Sequence, residues 1–389
     1  MKPHTLAAAM ALALITTACN GGAHQDAAAA PGDAERAATP VATTEHPFET
    51  DVIAVFDEPW AMSFLPDGRL LVTEKKGRLK LVDVESGRTG DVAGVPRVDY
   101  GGQGGFGDVV PHPAFAENGI VYMSYAEAGD GDTRGAALAR AKLVDSDGAP
   151  RLEGLEVIWR QVPKVSGRGH YGHRIAFDAD GKLWLSSSER QKFQPAQDMA
   201  SNMGKILRLE DDGRPAAGNP FAADGGVAAE VWSLGHRNVL GLAFDGDGRL
   251  WDVEMGPAGG DELNLVERGG NYGYPVVSNG DHYDGTPIPD HDTRPEFIAP
   301  ALDWTPVISP SSLVFYSGEV FPQWQGSAFI GGLSSQALVR VTVDGESARE
   351  AERFAMGRRI REVEQGPEGG LWLLEDGEGG RLLKLLPAG

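Results

Sequence analysis

The sequence has 389 residues, which is long enough for one large domain or for about two or three ordinary ones. A hydrophobic fraction of 41%, with 8 Trp and 14 Phe, allows a sizeable core and excludes a chain that is disordered throughout. The net charge of −21 argues against a nucleic-acid partner, since binding phosphate requires a basic surface.

Residues 1–19 predict an export signal. Lys2 precedes the apolar run Leu6–Ala18, which is too short to span a bilayer. The run ends before Cys19, the only cysteine, in an arrangement that resembles the lipid-attachment site of bacterial lipoproteins. Conventional cleavage and an accidental cysteine are the alternatives, because Thr16 stands where such signals usually have Leu. We therefore expect an exported protein, either periplasmic or anchored to the outer membrane as a lipoprotein. A single cysteine excludes an intrachain disulfide and a multi-thiolate zinc site.

Residues 20–46 predict a flexible tether, because they are rich in Ala, Gly, Pro and Thr and show no periodicity. We expect the folded domain to comprise residues 47–389, and the protein to be a monomer or a homodimer.

One phrase recurs along this domain: an apolar strand, a turn with glycine, and a second apolar strand. Its six instances are Ala61–Glu74, Val109–Tyr125, Arg174–Glu189, Leu240–Glu254, the degenerate Val314–Gly332, and Glu362–Asp376. The turn glycines are Gly68, Gly119, Gly181, Gly248, Gly326 and Gly369. Each unit predicts a β-hairpin whose turn needs a positive φ.

About six hairpins in one domain predict an all-β fold, a six-bladed β-propeller. Further apolar strands would complete the blades on their outer side: Leu79–Val84, Ala137–Val144, Gly204–Glu210, Ala337–Val343 and Arg381–Leu386. Ordinary hairpins in a β-sandwich are the alternative, which the regular recurrence disfavours. The surplus segments Val162–Tyr171, Glu189–Met203 and Met255–Asp303 predict inter-blade loops that form a site over the central channel.

Polar residues concentrate in these loops, most densely in Glu230–Tyr274. Gln103 stands in a glycine-rich stretch, two histidines occur in GRGHYGHRIAF, and arginines occur in GHRN and RRIRE. A histidine in such a loop can be a general base, a metal ligand or a surface residue. The arginines (Arg237, Arg358, Arg359 and Arg361) would suit a multiply anionic ligand, or would pair with the many carboxylates.

Taken together, these stretches resemble the soluble aldose dehydrogenases of the glucose/sorbosone dehydrogenase family, which depend on pyrroloquinoline quinone (PQQ). The resemblance covers about Pro59 to Leu386. It rests on GQGGFGDVVPHPAF, HYGHRIAF, QDMASNMGKILRL, GHRNVLGLAF, EMGPAGGDELNLVERGGNYGYP, DWTPVISPSS and RIREV. It implies a propeller enzyme that oxidises aldoses at C1 to lactones and passes the electrons to an external acceptor.

The resemblance also implies catalytic roles. His170 would be the base that takes the proton of the C1 hydroxyl while hydride passes to C5 of PQQ, and His173 is a second candidate for this base. Arg237 would stabilise negative charge on the quinone oxygen, with Asn238 beside it. Gln103 would lie against the substrate and the cofactor.

Cofactor and metal ligands follow from the same resemblance. Arg359 and Arg361 would pair with PQQ carboxylates, and Trp304 would offer an apolar face near the ring or the sugar. Ser334 stands where the family has a cofactor-binding lysine, which puts one carboxylate contact in doubt. The backbone carbonyls of Gly256 and Pro257 would hold Ca²⁺ at the quinone. Glu262 and the carbonyl of Tyr272, next to Asp261, match a second, structural calcium site; a solvated acidic pair on a turn is the alternative.

Two other functions remain open at this point. The first is a calcium-dependent lactonase or esterase, which requires carboxylate and Asn ligands converging at the channel centre. The second is a non-catalytic carbohydrate-binding propeller, which would not need His170, Arg237, the Gly-Pro turn and the Arg-rich segment together. A propeller alone does not decide between them.

Overall fold

The computed structural model describes Met1 and residues 46–146 and 148–389. Apart from Met1, the predicted export signal lies outside these residues, as do Cys19 and nearly all of the predicted tether. No helix within the described part of the chain is long and apolar enough to cross a membrane.

Within residues 46–146 and 148–389, the strands form six four-stranded antiparallel sheets, the blades of a β-propeller. Blade 1 consists of β2 (Pro59–Phe64), β3 (Leu70–Glu74), β4 (Arg78–Asp83) and β5 (Arg88–Val92). Blade 2 consists of β6 (Phe106–Pro111), β7 (Ile120–Ala128), β8 (Arg134–Ser146) and β9 (Ala149–Arg160). Blade 3 consists of β10 (Gly172–Phe177), β11 (Leu183–Ser187), β12 (Lys205–Leu209) and β13 (Val231–Leu234).

The second half of the chain continues the pattern. Blade 4 consists of β14 (Val239–Phe244), β15 (Leu250–Glu254), β16 (Asp261–Leu265) and β17 (Leu302–Trp304). Blade 5 consists of β18 (Pro310–Phe315), β19 (Ala328–Gly332), β20 (Ala337–Asp344) and β21 (Ser347–Ala355). Blade 6 consists of β22 (Ile360–Gln365), β23 (Leu371–Glu375), β24 (Glu378–Pro387) and the N-terminal strand β1 (Phe48–Asp57).

Helix contributes little to the described residues. One four-residue α-helix, α1 (Phe115–Asn118), interrupts the blade 2 hairpin. The short 3₁₀ turns are Gln194–Ala196, Ala222–Asp224, Gly226–Glu230, His291–Thr293 and Pro322–Trp324. The all-β, six-bladed architecture predicted from the hairpin repeat is therefore confirmed.

Each predicted hairpin forms the two inner strands of one blade, β2–β3, β6–β7, β10–β11, β14–β15, β18–β19 and β22–β23. The six turn glycines have φ between 67° and 86°, the region that disfavours residues with a Cβ. The strands expected on the outer side are the third strands of their blades, and the fourth strands lie outside them. β1 pairs with β24 and completes the last blade, which ties the start of the domain to its end.

Met255–Asp303 departs from its prediction as a loop, because it contains β16 and part of β17. Asp261 and Glu262 begin β16 and are only 1% and 7% exposed. The structure thus rules out a solvated acidic pair on a turn. Sequence patterning missed this strand because its buried side chains are partly acidic, whereas a buried strand is expected to be apolar.

Apolar clusters between neighbouring blades form the core. One cluster joins blades 1 and 2 around Leu71, Val109 and Met123, and another joins blades 4 and 5 around Trp251 and Ile330. This packing fixes the inner strands, so that residues at their starts are carried on a rigid ring.

One side chain spans the channel inside that ring. Arg174, on β10, donates from Nε to the carbonyl of Leu240 on β14 and from a second nitrogen to the carbonyl of Ser311 on β18. Its Nη1 lies 2.5 Å from the carboxylate of Glu362 on β22 and 3.7 Å from that of Asp108 on β6. Its guanidinium also lies 4.3 Å from the ring centroid of Trp60 on β2. Arg174 therefore touches the inner strands of all five other blades.

Candidate active site

The predicted catalytic histidine lies just before β10, with a carboxylate against its ring. Nδ1 of His170 lies 2.5 Å from Oε1 of Glu189, which follows β11 in the same blade. Both residues are buried. The backbone N–H of His170 donates to Oε1 of Gln103 at 2.8 Å, so the glycine-rich loop of blade 2 lies beside the same histidine. The structure thus brings Gln103 and His170 together, as expected for one site.

The electrostatics keep His170 neutral and its partner charged. Burial and the nearby charge of Arg237 lower the pKa of His170, and Glu189 opposes that shift. Burial raises the pKa of Glu189, but the hydrogen bond with His170, the backbone N–H of Phe193 and the charge of Arg237 oppose it, and the net shift is downward. Because Nδ1 faces the carboxylate, Nε2 is the nitrogen left to accept a proton.

Glu189 and Arg190 were not predicted as site residues, although Glu189 is the last residue of a recognised hairpin phrase and Arg190 follows it. The Arg190 guanidinium donates to the carbonyls of Gly167 and Gly169, and its backbone N–H donates to the carbonyl of His170. Glu189 therefore binds the ring of His170, and the adjacent Arg190 binds the backbone of the loop that carries it. The sequence feature that could have identified Glu189 is its position as an acidic residue at the end of the repeat phrase.

His173 has a different environment. Its ring stacks on Tyr171 with centroids 5.4 Å apart and meets the Trp60 ring edge-on at 5.7 Å. Both ring nitrogens are buried and have no hydrogen-bond partner among the described residues. Burial and the charges of Arg190 and Arg174 lower its pKa to about 3, so this imidazole stays neutral. The geometry favours His170 over His173 as the base.

Arg237 and Asn238 lie at the start of β14, facing the same opening. Nη1 of Arg237 donates to the carbonyls of Met255 and Gly256, at 2.8 and 2.7 Å. Its backbone carbonyl accepts from the N–H of Glu189, which connects it to the histidine. Both amide atoms of Asn238 are buried without a partner among the described residues, and so is Nε of Arg237. Unsatisfied polar groups in this position indicate a ligand or ordered water.

The Gly256–Pro257 turn is buried and held by Asp261. One oxygen of Asp261 accepts from the N–H of Gly256 at 2.8 Å, and the other accepts from the N–H groups of Ile308 and Ser309. A Cβ on Gly256 would lie 2.2 Å from the carbonyl oxygens of Gly259 and Gly260, so only glycine fits this turn. The carbonyls of Gly256 and Pro257 are thus carried on a rigid segment beside Arg237.

A buried acidic cluster lies behind this turn. Nδ1 of His236 lies 3.1 Å from Oε1 of Glu254 and 3.7 Å from Oδ2 of Asp252, and Asn264 lies within 3.4 Å of Asp252, Glu254 and Glu262. Oδ2 of Asp252 and Oδ1 of Asn264 lack hydrogen-bond partners among the described residues. Burial raises the pKa of Asp252 and of Glu262 well above the ordinary range, and repulsion from Glu254 adds to it.

Tyr272 and Glu262 line the same small cavity, of about 10 Å³, together with Glu254 and Gly256. The carbonyl of Tyr272 lies 3.1 Å from Nε2 of His291. Asp252 and Glu254 were not predicted as metal ligands.

Cations gather on the blade 6 side of the opening. Nε of Arg359 lies 2.7 Å from one oxygen of Asp376, and Nε of Arg361 lies 2.8 Å from the other. Burial alone would raise the pKa of Asp376, but the two arginines lower it to about 2. One carboxylate, Asp376, is shared by the guanidinium groups of Arg359 and Arg361. This group of three side chains therefore keeps a net positive charge, although the protein as a whole is acidic.

Two predicted residues have other surroundings. Trp304 lies on β17, the outermost strand of blade 4, where it packs against the core between blades 4 and 5 and donates to Glu350 at 2.7 Å. The structure therefore contradicts the expectation that Trp304 faces the cofactor ring or the sugar. Ser334, at the position of the family lysine, is exposed and shares a hydrogen bond with Ser309.

Comparison with known proteins identifies the family of this chain. The family profile of glucose/sorbosone dehydrogenases matches residues 56–384. The aldose sugar dehydrogenase YliI of Escherichia coli K12 is 38% identical over 339 residues, covering 85% of this chain and 90% of that protein.

Solved structures of sugar dehydrogenases are also similar to this chain. The soluble aldose sugar dehydrogenase of Escherichia coli, in its apo form, has a TM-score of 0.82 at 36% identity, covering 88% of this chain and 100% of that one. The PQQ-bound aldose sugar dehydrogenase of Streptomyces coelicolor has a TM-score of 0.72 at 29% identity, covering 87% and 98%. The chain described here belongs to the glucose/sorbosone dehydrogenase family.

Proposed function

We propose that this protein is a PQQ- and calcium-dependent aldose dehydrogenase, which oxidises the sugar at C1 to a lactone and passes electrons to an external acceptor. The observation that carries the proposal is the pairing of His170 with Glu189 beside Arg237 and the unpartnered Asn238 amide. A neutral base, a fixed cation and unsatisfied polar groups at one opening fit oxidation of a hydroxyl group by a bound cofactor.

His170 acts as the base in this proposal. Glu189 holds Nδ1, so Nε2 accepts the proton of the C1 hydroxyl, and the imidazolium that forms is stabilised by the adjacent carboxylate. The lowered pKa of His170 means that the free enzyme has the imidazole ready as a base near neutral pH. Gln103, bonded to the histidine backbone, lies where it can contact the sugar.

PQQ, when bound, supplies the two-electron oxidant that the side chains lack. The residues present fit such a group: Asn238 offers a donor and an acceptor that are both unused, and Arg237 offers a positive charge for an anionic oxygen. Arg359 and Arg361 supply positive charge for carboxylates. Ser334 brings no charge, so we expect the two arginines to carry most of this electrostatic attraction.

Calcium fits the carbonyls of Gly256 and Pro257, because carbonyl oxygens are ligands that Ca²⁺ prefers. The Gly256 carbonyl already accepts from the Arg237 guanidinium, so this oxygen faces positive charge. A calcium ion there would place a second cation next to the quinone and would polarise it.

A second calcium fits the acidic cluster of Glu262, Glu254 and Asp252 with the Tyr272 carbonyl. Like charges buried together are costly unless a cation compensates them, and the raised pKa values of Asp252 and Glu262 express that cost. His236, Asp252 and Glu254 lie close enough together for one ligand atom from each to hold an ion.

Export is part of the proposal. The family relatives include soluble enzymes, and the N-terminal signal predicted from residues 1–19 would bring the propeller to the periplasm or, through a lipid on Cys19, to the outer membrane. Both the signal and Cys19 lie outside the described residues.

Reconstitution tests the proposed function. Residues 47–389 are purified, PQQ and Ca²⁺ are added, and reduction of an artificial electron acceptor is followed with a panel of aldoses. We expect turnover that requires both additions and disappears with a chelator. No turnover, with PQQ titrating without spectral change, would contradict the proposal and would favour a lactonase or a carbohydrate-binding propeller.

A further inference from the structure

Lys75 presents an ammonium group to the glycine-rich loop of the proposed site. The residue directly follows β3 of blade 1, and its Nζ donates to the carbonyl of Gly102 at 3.1 Å. Gly102 precedes Gln103, whose side chain accepts from the backbone N–H of His170. The Lys75 side chain is half-buried. A cation that the sequence patterns did not single out therefore lies against the loop that contacts the proposed base.

Main-chain hydrogen bonds hold Lys75 between blade 2 and blade 6. Its carbonyl accepts from the N–H of Phe106, the first residue of β6, at 2.9 Å. Its own N–H donates to the carbonyl of Glu58 at 2.9 Å, and the N–H of Glu58 donates to the carbonyl of Gly377 at 3.2 Å. Gly377 follows Asp376, the carboxylate that the two blade 6 arginines share. Lys75 is therefore fixed between the glycine-rich loop and the arginine pair.

The carboxylates near Lys75 are bound by other groups. Among the described residues, Lys75 forms no ion pair of its own. Glu58 accepts from the Tyr100 hydroxyl at 2.6 Å and lies 3.5 Å from Nζ of Lys76. Asp376 is held by the arginine pair. An ammonium group has three donors, and the contact with the glycine-rich loop uses one of them, so the others are free to bind a ligand.

The charge balance around Lys75 favours an anion. Burial and the charge of Arg361, with a smaller contribution from Arg359, lower the pKa of Lys75, although Glu58 and Asp376 oppose the shift. The charged ammonium is therefore not fully compensated by the carboxylates around it. A carboxylate bound beside Nζ would supply that compensation and would gain a charge-assisted hydrogen bond.

We propose that Lys75 binds a carboxylate group of PQQ. The geometry that carries this is an ammonium group with unused donors, fixed between the glycine-rich loop and the pair Arg359 and Arg361. The inner strands of blade 1 and blade 5 both pack against β22 of blade 6. Lys75 thus supplies from the blade 1 side a positive charge that Ser334 does not supply from the blade 5 side. This inference rests on the proposed function and adds a cofactor-binding residue to it.

The test is a titration of the calcium-loaded protein with PQQ, followed by the change in absorbance of the cofactor, which requires no sugar and no turnover. Lys75→Met should raise the Kd for PQQ by about tenfold, because one charge-assisted hydrogen bond is lost. Lys75→Arg retains the charge and should bind PQQ nearly as tightly as the wild type. Lys76→Met is the matched control, since this adjacent exposed lysine pairs with Asp57 at 3.0 Å, and it should leave the Kd unchanged.

Ionic strength separates a charge contact from a loss of packing. The attraction between an ammonium group and a carboxylate is screened by salt, whereas contacts of the side-chain stem are not. The difference in Kd between the wild type and Lys75→Met should therefore shrink as the salt concentration rises. Denaturant unfolding of each variant confirms that the proteins compared are folded.

Three results would overturn this inference and leave the proposed function intact. The first is an equal Kd for the wild type and Lys75→Met. The second is a rise in Kd that is as large in Lys75→Arg as in Lys75→Met, because the charge would then not be its cause. The third is a difference in Kd that does not respond to salt. A wild-type protein that binds no PQQ would overturn both the inference and the proposed function.

Discussion

Nδ1 of His170 lies 2.5 Å from Oε1 of Glu189, and this contact joins the loop before β10 to the loop after β11 at the open end of one hairpin of blade 3. The same carboxylate accepts from the N–H groups of Lys192 and Phe193. Glu189 is therefore a fixed orienting group, and the position of the proposed base depends on it.

Replacing Glu189 with Gln should lower kcat by roughly 100-fold, because the imidazole loses its orienting charge in the step that protonates it. Glu189 raises the pKa of His170, so its neutralisation should lower that pKa further and move the acidic limb of the kcat/KM profile to lower pH. The pH profile of kcat/KM measures both effects. Glu156→Gln, an exposed carboxylate on β9, is the control. A normal kcat with an unmoved acidic limb would show that Glu189 has only a structural role.

Arg174→Met should destabilise the whole propeller. The substitution leaves the carbonyls of Leu240 and Ser311 without their donors and the carboxyl groups of Asp108 and Glu362 without their guanidinium partner. A buried polar group left without its partner typically costs about 1–3 kcal/mol. Denaturant unfolding should show the loss.

Arg340→Met is the comparison for Arg174→Met, since Arg340 pairs with Glu352 between the outer strands β20 and β21. This variant should be much less affected. Equal losses in the two variants would argue against a special role of the channel arginine.

Glu362 should make stability depend on pH. Burial raises its pKa to about 8, although the charge of Arg174 opposes the shift. A carboxyl whose pKa is raised in the folded state binds its proton more tightly there than in the unfolded chain. Its stabilising contribution is complete below its ordinary pKa and is lost as pH rises towards about 8.

Comparing the free energy of unfolding of wild type and Glu362→Gln between pH 5 and 8 isolates this contribution, because Gln mimics the protonated acid. The wild type should lose more stability than the variant over this interval. Parallel curves for the two proteins would mean that Glu362 is ionised throughout.

Calcium removal should lower thermal stability through the acidic cluster. An ion that binds only the folded protein, at about 100 times its Kd, adds ~2.7 kcal/mol. Glu262→Gln should reduce the difference in Tm between calcium-loaded and chelator-treated protein, whereas Glu267→Gln, at an exposed position nearby, should not. An undiminished difference in Glu262→Gln would place the ion elsewhere.

The fold was largely predictable because the hairpin turns have local causes. A glycine with positive φ between two apolar strands recurs at Gly68, Gly181 and Gly248, and each turn forms where its own residues require it. β16 was not predictable in the same way, because Asp261 and Glu262 are buried by tertiary packing that a local pattern does not contain.

The site was predictable only in part. Arg237 lies close enough to His170 for its charge to lower the pKa of the histidine. The partnership of His170 with Glu189 was not predicted, because it depends on how β10 and β11 pair. The expectation for Trp304 came from the resemblance alone, because the local sequence gives no indication of which strand edge this residue occupies. Its pairing with Asp261 on the outermost strand determines its position, and that pairing spans more than forty residues of sequence.

The most direct test of the account is the reduction of bound PQQ by glucose in a single turnover, compared between wild type and His170→Ala. Both proteins are loaded with calcium, and PQQ binding is measured separately by titration. The account predicts that His170→Ala binds PQQ nearly as well as the wild type but reduces it slower by about 100-fold or more. Reduction at the wild-type rate would contradict the assignment of His170 as the base, and His173 would then be the next candidate.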